Sequence, residues 1–271
     1  MKVSLVVLFF FAVYFSVEVT GHGYMIVPAN RASLWRIDWQ QPINYEDNEY
    51  FCGGAYAQYY KNHGKCGPCG DDWRDPVPRS NENGGIYGNG IIVANYTAGS
   101  VIDVTVLITA NHLGALYFHI CDLKDGSQAE TEECFHPMKL ADGTNSYPVH
   151  ALDYRVDIQL RLPKDLVCER CVLRWHYRTG NSWGICEDGT QNMGCGNQEI
   201  FRSCADISIA PPHPGHEFPS GVNSKEATPE EPFKEFSSSE ETMSHLDSHE
   251  RSDSGKPRII NPYFYSNPAK N

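Results

Sequence analysis

Residues 154–162 read Tyr-Arg-Val-Asp-Ile-Gln-Leu-Arg-Leu, a stretch in which apolar and polar side chains alternate without interruption. An alternation of period two indicates a β-strand that buries one face and exposes the other. The same period recurs over 102–109 and 171–177, and shorter candidate strands lie at 116–120 and 205–209. Because no long helical pattern separates these strands, they predict an all-β fold, an antiparallel, immunoglobulin- or fibronectin-like β-sandwich.

Residues 35–89 differ from the rest of the predicted domain. They are rich in Gly, Asn, Pro, Tyr and Cys and have no clean hydrophobic period. We interpret them as a long loop region, stapled by disulfides and containing short helices. Loops of this length within a compact domain are usually functional.

The N-terminus has the pattern of a secretory signal peptide. Lys2 supplies a positive charge, residues 3–15 are apolar, and Val19-Thr20-Gly21 offers small residues for cleavage. The alternative is a transmembrane anchor, but the apolar run is shorter than the ~20 residues needed to cross a bilayer. We therefore expect residues 1–21 to be removed and the mature protein to be soluble and secreted, with no membrane partner.

The chain has ten cysteines, an even number. In a secreted protein they predict a disulfide framework of up to five bridges. Two pairs, 66/69 and 168/171, also have the C-x-x-C spacing of a zinc site. Export makes disulfides the better interpretation, but the sequence alone leaves the pairing open.

The net charge is −12, and this balance argues against a nucleic-acid partner, because phosphate binding needs clustered Lys and Arg. Residues 211–258 hold 10 acidic and 5 basic side chains among many Ser and Pro. Such a composition cannot build a core. We therefore predict a folded domain at 22–210 and a disordered tail at 211–271. Asn95-Tyr96-Thr97 is an N-glycosylation sequon.

Cleavage after Gly21 would leave His22 with a free α-amino group. An N-terminal histidine offers two nitrogen donors to one metal, its amine and one imidazole nitrogen. The reference pKa of an α-amino group is about 7.7–8.0, so a metal displaces its proton near neutral pH. A second histidine would complete a roughly T-shaped set of three nitrogens, and tetragonal nitrogen coordination suits Cu(II).

His112 is the candidate for the second histidine. It lies in the turn Ala110-Asn-His-Leu-Gly114, directly after the predicted strand at 101–109. A strand end beside Gly gives a ligand an exposed and well-anchored position. The alternative is an ordinary polar side chain in a surface loop, and spacing alone favours that alternative.

Short motifs are distributed over residues 22 to about 210. They are His22-Gly-Tyr24, Pro28, Asn30-Arg-Ala-Ser33, Trp35-Arg36, Cys52-Gly-Gly54, Cys66-Gly-Pro-Cys69-Gly-Asp71, Ala110-Asn-His112 and Cys195-Gly-Asn-Gln-Glu199-Ile-Phe201-Arg-Ser-Cys204-Ala-Asp206-Ile207. Together they resemble the animal-type lytic polysaccharide monooxygenases, auxiliary activity family fifteen. A signal peptide that ends directly at His-Gly, a later Asn-His and a Glu-x-Phe before Cys-x-Asp-Ile rarely coincide by chance.

The resemblance implies a role for each of five residues. His22 matches the N-terminal copper ligand, through its amine and ring, and His112 matches the second imidazole ligand. Phe201 falls at the axial position beside the copper, which it would shield because Phe cannot coordinate. Glu199 matches a carboxylate or amide that positions oxygen species, and Ala110 matches a small residue that lines the axial pocket.

The resemblance also implies an activity. One copper ion per chain, with O2 or H2O2 as co-substrate and an external electron donor, would oxidise C1 or C4 beside a glycosidic bond and so cleave it. The expected substrate is the surface of crystalline chitin first and cellulose second, and the expected state is a monomer. Tyr24, Trp35 and other exposed aromatics of the loop region are candidates for contact with the sugar rings, but Tyr and Trp are just as often packing residues.

Three alternatives differ in the chemistry that they require. A non-catalytic chitin- or cellulose-binding module needs the same sandwich and aromatics but no N-terminal histidine. A glycoside hydrolase needs an acid/base pair of carboxylates, and no motif of this sequence marks one. Copper transport or storage is the third alternative. Dependence of cleavage on a reductant separates oxidative from hydrolytic chemistry.

Overall fold

A computed structural model describes residues 21–124 and 126–212 of the chain. The predicted signal peptide, apart from Gly21, and the predicted tail, apart from its first two residues, lie outside the described residues. The strands are numbered in chain order: β1 His22–Val27, β2 Ala94–Thr97, β3 Val101–Ala110, β4 Ala115–Asp122, β5 His136–Pro137, β6 Lys139–Leu140, β7 Tyr147–Pro148, β8 Arg155–Arg161, β9 Cys168–Arg178, β10 Trp183–Ile185, β11 Gln191–Met193 and β12 Ile200–Ala210.

Helical structure is sparse in the described part of the chain. It consists of the 3-10 helices Arg31–Arg36 and Glu132–Cys134 and one π-helical turn, Ala57–Lys61. Most of residues 35–89 form turns, bends and irregular backbone, as the loop prediction requires. Within the described ranges, no helix has the length and apolar character that a membrane crossing would need.

The larger strands form two sheets that enclose one core. The first sheet has the order β1-β3-β8-β6, and the second has the order β2-β12-β9-β4-β5, with β7 also paired to β4. All the strand pairs are antiparallel except β2 with β12, which is parallel. A separate hairpin joins β10 and β11. The predicted antiparallel β-sandwich is therefore confirmed.

β8 shows how the sequence pattern produces the core. Val156, Ile158 and Leu160 are buried between the sheets, whereas the intervening polar residues of β8 are exposed. They belong to the same hydrophobic cluster as Leu173 and Trp175 on β9 of the opposite sheet. Burial of such side chains contributes roughly 1.5–3 kcal/mol each, so this face of β8 stabilises the contact between the two sheets.

β9 and β12 do not show the one-sided burial that their alternation predicts. Arg174, Arg202 and Asp206 point away from the core, yet they are only 2%, 9% and 2% exposed. Loop residues cover this outer face: Arg31 pairs with Asp206, and Cys69 is bonded to Cys204. The prediction of a solvated second face is wrong for these two strands, because the loop region acts as an additional layer.

All ten cysteines are paired, which confirms five disulfides and shows that neither C-x-x-C motif is a zinc site. Cys168 and Cys171 are bonded to each other, whereas the first C-x-x-C motif divides its sulfurs between two different bridges. The pairs are Cys52–Cys66, Cys69–Cys204, Cys121–Cys134, Cys168–Cys171 and Cys186–Cys195.

Arg31 is a buried cation at the junction of three segments. Its Nε and Nη2 donate to the two carboxylate oxygens of Asp206 on β12, at 2.7 and 2.6 Å. Its Nη2 also lies 2.6 Å from a carboxylate oxygen of Glu130, and its Nη1 donates to the backbone oxygen of Asn81. The three charged side chains are at most 1% exposed. One guanidinium thus fixes the first 3-10 helix against β12 and two loops.

Arg31→Leu is expected to lower the free energy of unfolding by about 3–5 kcal/mol, because it leaves two buried carboxylates without their cation. Denaturant titration measures the change. The control is Arg155→Leu, whose ion pair with Asp157 is more than half exposed and should contribute less than about 1 kcal/mol. Equal effects of the two substitutions would contradict the assignment.

A second polar group under the loops contains two histidines. The rings of His119 and His176 lie 5.8 Å apart, and Nε of Arg202 donates to Nδ1 of His176. Burial, followed by the positive charges of Arg174 and Arg202, lowers the pKa of His119 to about 4, although Glu132 opposes the shift. Burial likewise holds the pKa of His176 well below its usual range. Both rings are therefore neutral in the folded protein at pH 7.

Stability is expected to fall as the pH drops from about 6.5 to about 4. Over this range the unfolded state binds a proton at His119 that the folded state excludes, whereas above pH 6.5 neither state binds it. The loss at this partly exposed group should be about 2 kcal/mol after solvent screening. The free energy of unfolding should fall more between pH 7 and pH 4 in the wild type than in His119→Gln. Parallel curves would show that His119 contributes nothing.

Candidate metal centre

The five predicted site residues lie at one end of the sandwich. His22 is the first residue of β1 and pairs with Ala110, the last residue of β3. His112 follows in the turn between β3 and β4, while Glu199 directly precedes β12 and Phe201 is its second residue. Their convergence follows from the strand order, because β1 and β12 both begin at this end.

Distances between side chains define the site. Nδ1 of His112 lies 3.5 Å from Oε2 of Glu199, and the ring centroids of His22 and Phe201 are 6.4 Å apart. The side chain of His22 is 22% exposed, whereas that of His112 is 7% exposed. The site is therefore open to solvent on the side of His22 and enclosed around His112.

The turn that carries His112 is held to the end of β9. The backbone N–H of His112 donates to the hydroxyl of Tyr177 at 3.0 Å, and the carbonyl of His112 accepts from the N–H of Gly180 at 2.9 Å. Nδ2 of Asn181 lies 2.9 Å from Nδ1 of the His112 ring. Gly114 has φ of +89°, and a Cβ there would lie 2.1 Å from the carbonyl oxygen of Arg178. Only glycine allows the turn to approach β9 so closely.

Burial favours the neutral, metal-binding form of the enclosed histidine. Burial, followed by the neighbouring charge of His22, lowers the pKa of His112. A neutral imidazole retains a free nitrogen lone pair, which metal binding requires. Burial also raises the pKa of Tyr177 to about 12, so its hydroxyl keeps its proton.

Phe201 belongs to an aromatic cluster beneath the site. The residue is fully buried, and its ring lies 5.9 Å from the ring of Tyr177 and 6.1 Å from that of Phe51. An apolar ring in this position offers no ligand atom. It closes one side of the space beside the two histidines.

The backbone of Gly21 fills that space in the uncleaved chain. Its N–H donates to Oε2 of Glu199 at 3.1 Å, and a Cβ on it would lie 2.9 Å from Nδ1 of His112 and 3.1 Å from the ring of Phe201. Removal of residues 1–21 would open this space and turn the peptide nitrogen of His22 into an amine. Two imidazoles and an amine then form a nitrogen set that fits copper.

The structure changes the expectation for the surface aromatics. Tyr24 is 6% exposed, so it is buried and cannot contact a sugar surface. It lies on β1, and the guanidinium of Arg36 lies 5.6 Å from the centroid of its ring. Trp35 is half-buried; its ring centroid lies 5.3 Å from that of Tyr45 in an edge-to-face arrangement, and the guanidinium of Arg36 lies over its face. The prominently exposed aromatics of the loop region include Trp39, at 85%.

Three residues that support the site were missed by sequence reasoning. Tyr177 was recognised only as part of a strand, and the partner of its hydroxyl lies 65 residues away. Asn181 had no distinguishing pattern. Glu49 lies 3.3 Å from Nε2 of His22, in a loop segment without any period that would predict its direction. These contacts become visible only in the folded structure, which brings β9, the turn after β3 and the loop that carries Glu49 to the same end of the sandwich.

Comparison with known proteins agrees with this geometry. The model of a family described as "Lytic polysaccharide mono-oxygenase, cellulose-degrading" matches residues 22–207. An AA15 lytic polysaccharide monooxygenase from Thermobia domestica, solved in the Cu(I) state, is 46% identical, with a TM-score of 0.67 over 70% of this chain and 99% of that one. No curated protein sequence gives a significant match.

More distant structures are also similar. An AA10 lytic polysaccharide monooxygenase from Streptomyces lividans is 12% identical, with a TM-score of 0.41 over 69% of this chain and 99% of that one. A chitin binding domain from Burkholderia pseudomallei is 12% identical, with a TM-score of 0.39 over 70% of this chain and 100% of that one.

The fold and the site define a β-sandwich in which His22, the first residue of β1, meets a second histidine, His112, at one end. With the match over residues 22–207 and the identity of 46%, the chain belongs to the lytic polysaccharide monooxygenases, in the animal-type auxiliary activity family fifteen.

Tyr177→Phe is expected to weaken copper binding several-fold and to cost about 1–2 kcal/mol of stability. The substitution removes the acceptor of the buried His112 N–H but keeps the ring. Calorimetric copper titration and denaturant unfolding measure the two effects. Tyr96→Phe, on β2 at the other end of β12, should leave copper affinity unchanged. Identical copper affinity in the wild type and Tyr177→Phe would show that this hydrogen bond does not support the site.

Proposed function

We propose that this polysaccharide monooxygenase binds one copper ion through His22 and His112 and oxidatively cleaves glycosidic bonds in crystalline chitin, with cellulose as the second substrate. Oxidation would occur at C1 or C4. The observation that carries the proposal is the meeting of these two histidines with Glu199 and Phe201 around the position of Gly21. Membership of the family supports the class of reaction.

The amine and ring of His22 and the ring of His112 would hold the metal. Copper, once reduced by an external electron donor, would supply the redox chemistry that activates O2 or H2O2. The neutral state of the enclosed imidazole suits this role, because a protonated ring cannot bind a metal. The contacts of His112 with Tyr177 and with Gly180 hold that ligand in place before the metal arrives.

The other residues of the site would shape the space around the ligands. Glu199 presents a carboxylate oxygen toward the position of Gly21, where it can orient a polar co-substrate or hold a proton. Phe201 excludes water and further ligands from its side of the space. Ala110 pairs with His22 and is small enough to leave the approach beside this residue open.

A rigid apolar surface begins next to the site. Asn181 contacts the His112 ring, and the β10–β11 hairpin starts two residues later. Trp183, Ile185 and Met193 are 63%, 64% and 54% exposed and share one face of this hairpin. The disulfide Cys186–Cys195 closes it. Such a surface suits the apolar faces of sugar rings in a crystal.

The proposed mature protein is a secreted monomer with its catalytic domain at 22–210. Five disulfides suit an oxidising compartment outside the cytosol. Asn95 is exposed on the edge strand β2 and would carry an N-linked glycan. It pairs with Ser208, about 23 Å along β12 from Phe201 at ~3.3 Å per residue, so a glycan there would leave the metal site free.

The decisive experiment compares three forms of the protein: one that starts at His22, one that retains Gly21, and His112→Ala starting at His22. The first should bind Cu(II) and release oxidised oligosaccharides only with a reductant. The other two should bind Cu(II) at least tenfold more weakly and release none, because each lacks one donor of the set. Calorimetry and mass spectrometry of the products provide the readouts.

Unchanged copper affinity in the His112→Ala form would sink the assignment of the second ligand. Cleavage that continues without a reductant would contradict the proposed oxidative reaction and would favour a hydrolase. Incubation with chitin and cellulose in parallel identifies the substrate. Products oxidised at the reducing end indicate C1 attack, whereas products oxidised at the non-reducing end indicate C4 attack.

A further inference from the structure

The ring of His22 has a carboxylate beside the nitrogen that is farther from its backbone. Nε2 of His22 lies 3.3 Å from Oε1 of Glu49. Neither the sequence pattern nor the predicted site included this residue. The contact matters because the two ring nitrogens of a histidine have different surroundings, and a hydrogen bond at one of them decides which form the other takes.

The backbone fixes the position of Glu49. The carbonyl of the preceding residue, Asn48, accepts from the N–H of Gly23 on β1, and the Asn48 side chain donates to Oγ1 of Thr109 on β3. The carbonyl of the following residue, Tyr50, accepts from the N–H of Arg202 on β12. Contacts on both sides therefore hold this residue against the strands that carry the metal site.

Simple geometry separates the two nitrogens of His22. The α-amine and Nδ1 can hold one metal in a six-membered chelate ring, whereas Nε2 points to the far side of the imidazole. Nδ1 binds a metal only when its lone pair is free, which in a neutral ring requires the proton to be on Nε2. A carboxylate that accepts from Nε2–H selects this tautomer and orients the ring.

We propose that Glu49 is a positioning residue, which accepts a hydrogen bond from Nε2–H of His22 and thereby presents Nδ1, together with the α-amine, to the copper. The inference rests on the proposed function of His22 as a ligand. Glu49 does not touch the metal or the substrate in this assignment and acts only through the imidazole.

The exposure of the pair indicates that stability is not its main effect. The side chains of His22 and Glu49 are 22% and 42% exposed, and ion pairs this accessible contribute little to folding. Substitution of Glu49 should therefore leave the fold intact, so that changes at the metal site can be measured without interference from unfolding.

The test uses the mature protein that starts at His22, in the wild type, Glu49→Leu and Glu49→Gln. Leu has a similar size but no acceptor, whereas Gln retains a carbonyl oxygen that accepts a hydrogen bond. The control is Glu46→Leu, which removes the same charge from an exposed residue in the same loop segment. Far-UV circular dichroism checks that each variant is folded.

The first readout needs no metal. Long-range ¹H–¹⁵N spectra of the metal-free protein at pH 8 report the tautomer of His22. The wild type, Glu49→Gln and Glu46→Leu should show the proton on Nε2, whereas Glu49→Leu should show a mixture of tautomers. The second readout is copper itself: Glu49→Leu should bind Cu(II) at least tenfold more weakly and give an altered electron paramagnetic resonance spectrum.

An unchanged tautomer in Glu49→Leu, together with wild-type Cu(II) affinity and spectrum, would overturn the proposal. So would an equal effect of Glu46→Leu, because it would point to charge rather than to the hydrogen bond. Failure of the proposed function is recognised separately: the wild type would then bind no copper at His22, while the tautomer measurement on metal-free protein would still report on Glu49.

Discussion

The buried ion pair between Arg31 and Asp206 is the constraint on which the arrangement of the molecule depends. A desolvated guanidinium must satisfy its donors, and here two carboxylates and a backbone carbonyl surround it at hydrogen-bond distance. The pair contributes little net stability relative to an apolar core, but its loss is costly, and its geometry permits one relative placement of the chain segments. The bridge Cys69–Cys204 reinforces that placement on the same strand.

This placement also positions the residues of the proposed metal site, which lie near the beginning of β12. Arg31 follows β1 closely, and Asp206 lies on the same strand as Phe201. Fixing them to each other therefore fixes where β1 begins relative to β12, and so where His22 lies relative to Phe201. The contacts of Tyr177 and Gly180 with His112 fix this histidine to the end of β9, which pairs with β12 along most of its length. The two proposed ligands are thus positioned by a buried ion pair, by the Tyr177 hydroxyl and the Gly180 amide, and by the register of β9 with β12.

The sequence predicted those parts of the molecule whose cause is local. Period-two alternation over 154–162 predicted β8, because a strand that is buried on one face alternates apolar and polar residues. The same alternation wrongly predicts a solvent-exposed second face for β12, where Arg202 and Asp206 are polar but buried. The disulfide pairs were not predictable from the sequence either, because the pairing depends on which segments the fold brings together. His112 was favoured as the second ligand only through the family resemblance. Tyr177 and Glu49 were not identified, because their contacts join segments that are distant in sequence.

Gly21 would connect the proposed export to the proposed metal binding. In the uncleaved chain the nitrogen of His22 is an amide, whose lone pair is delocalised into the carbonyl and is a poor donor to a metal. The same glycine lies between Phe201 and the ring of His112 and bonds to Glu199. Removal of the leader would therefore create the donor and vacate the space in one covalent step. A chain that keeps even one extra residue has both defects at once, whereas the sandwich beneath it, held by Arg31, does not depend on the cleavage. The fold can therefore be complete before the proposed metal site forms.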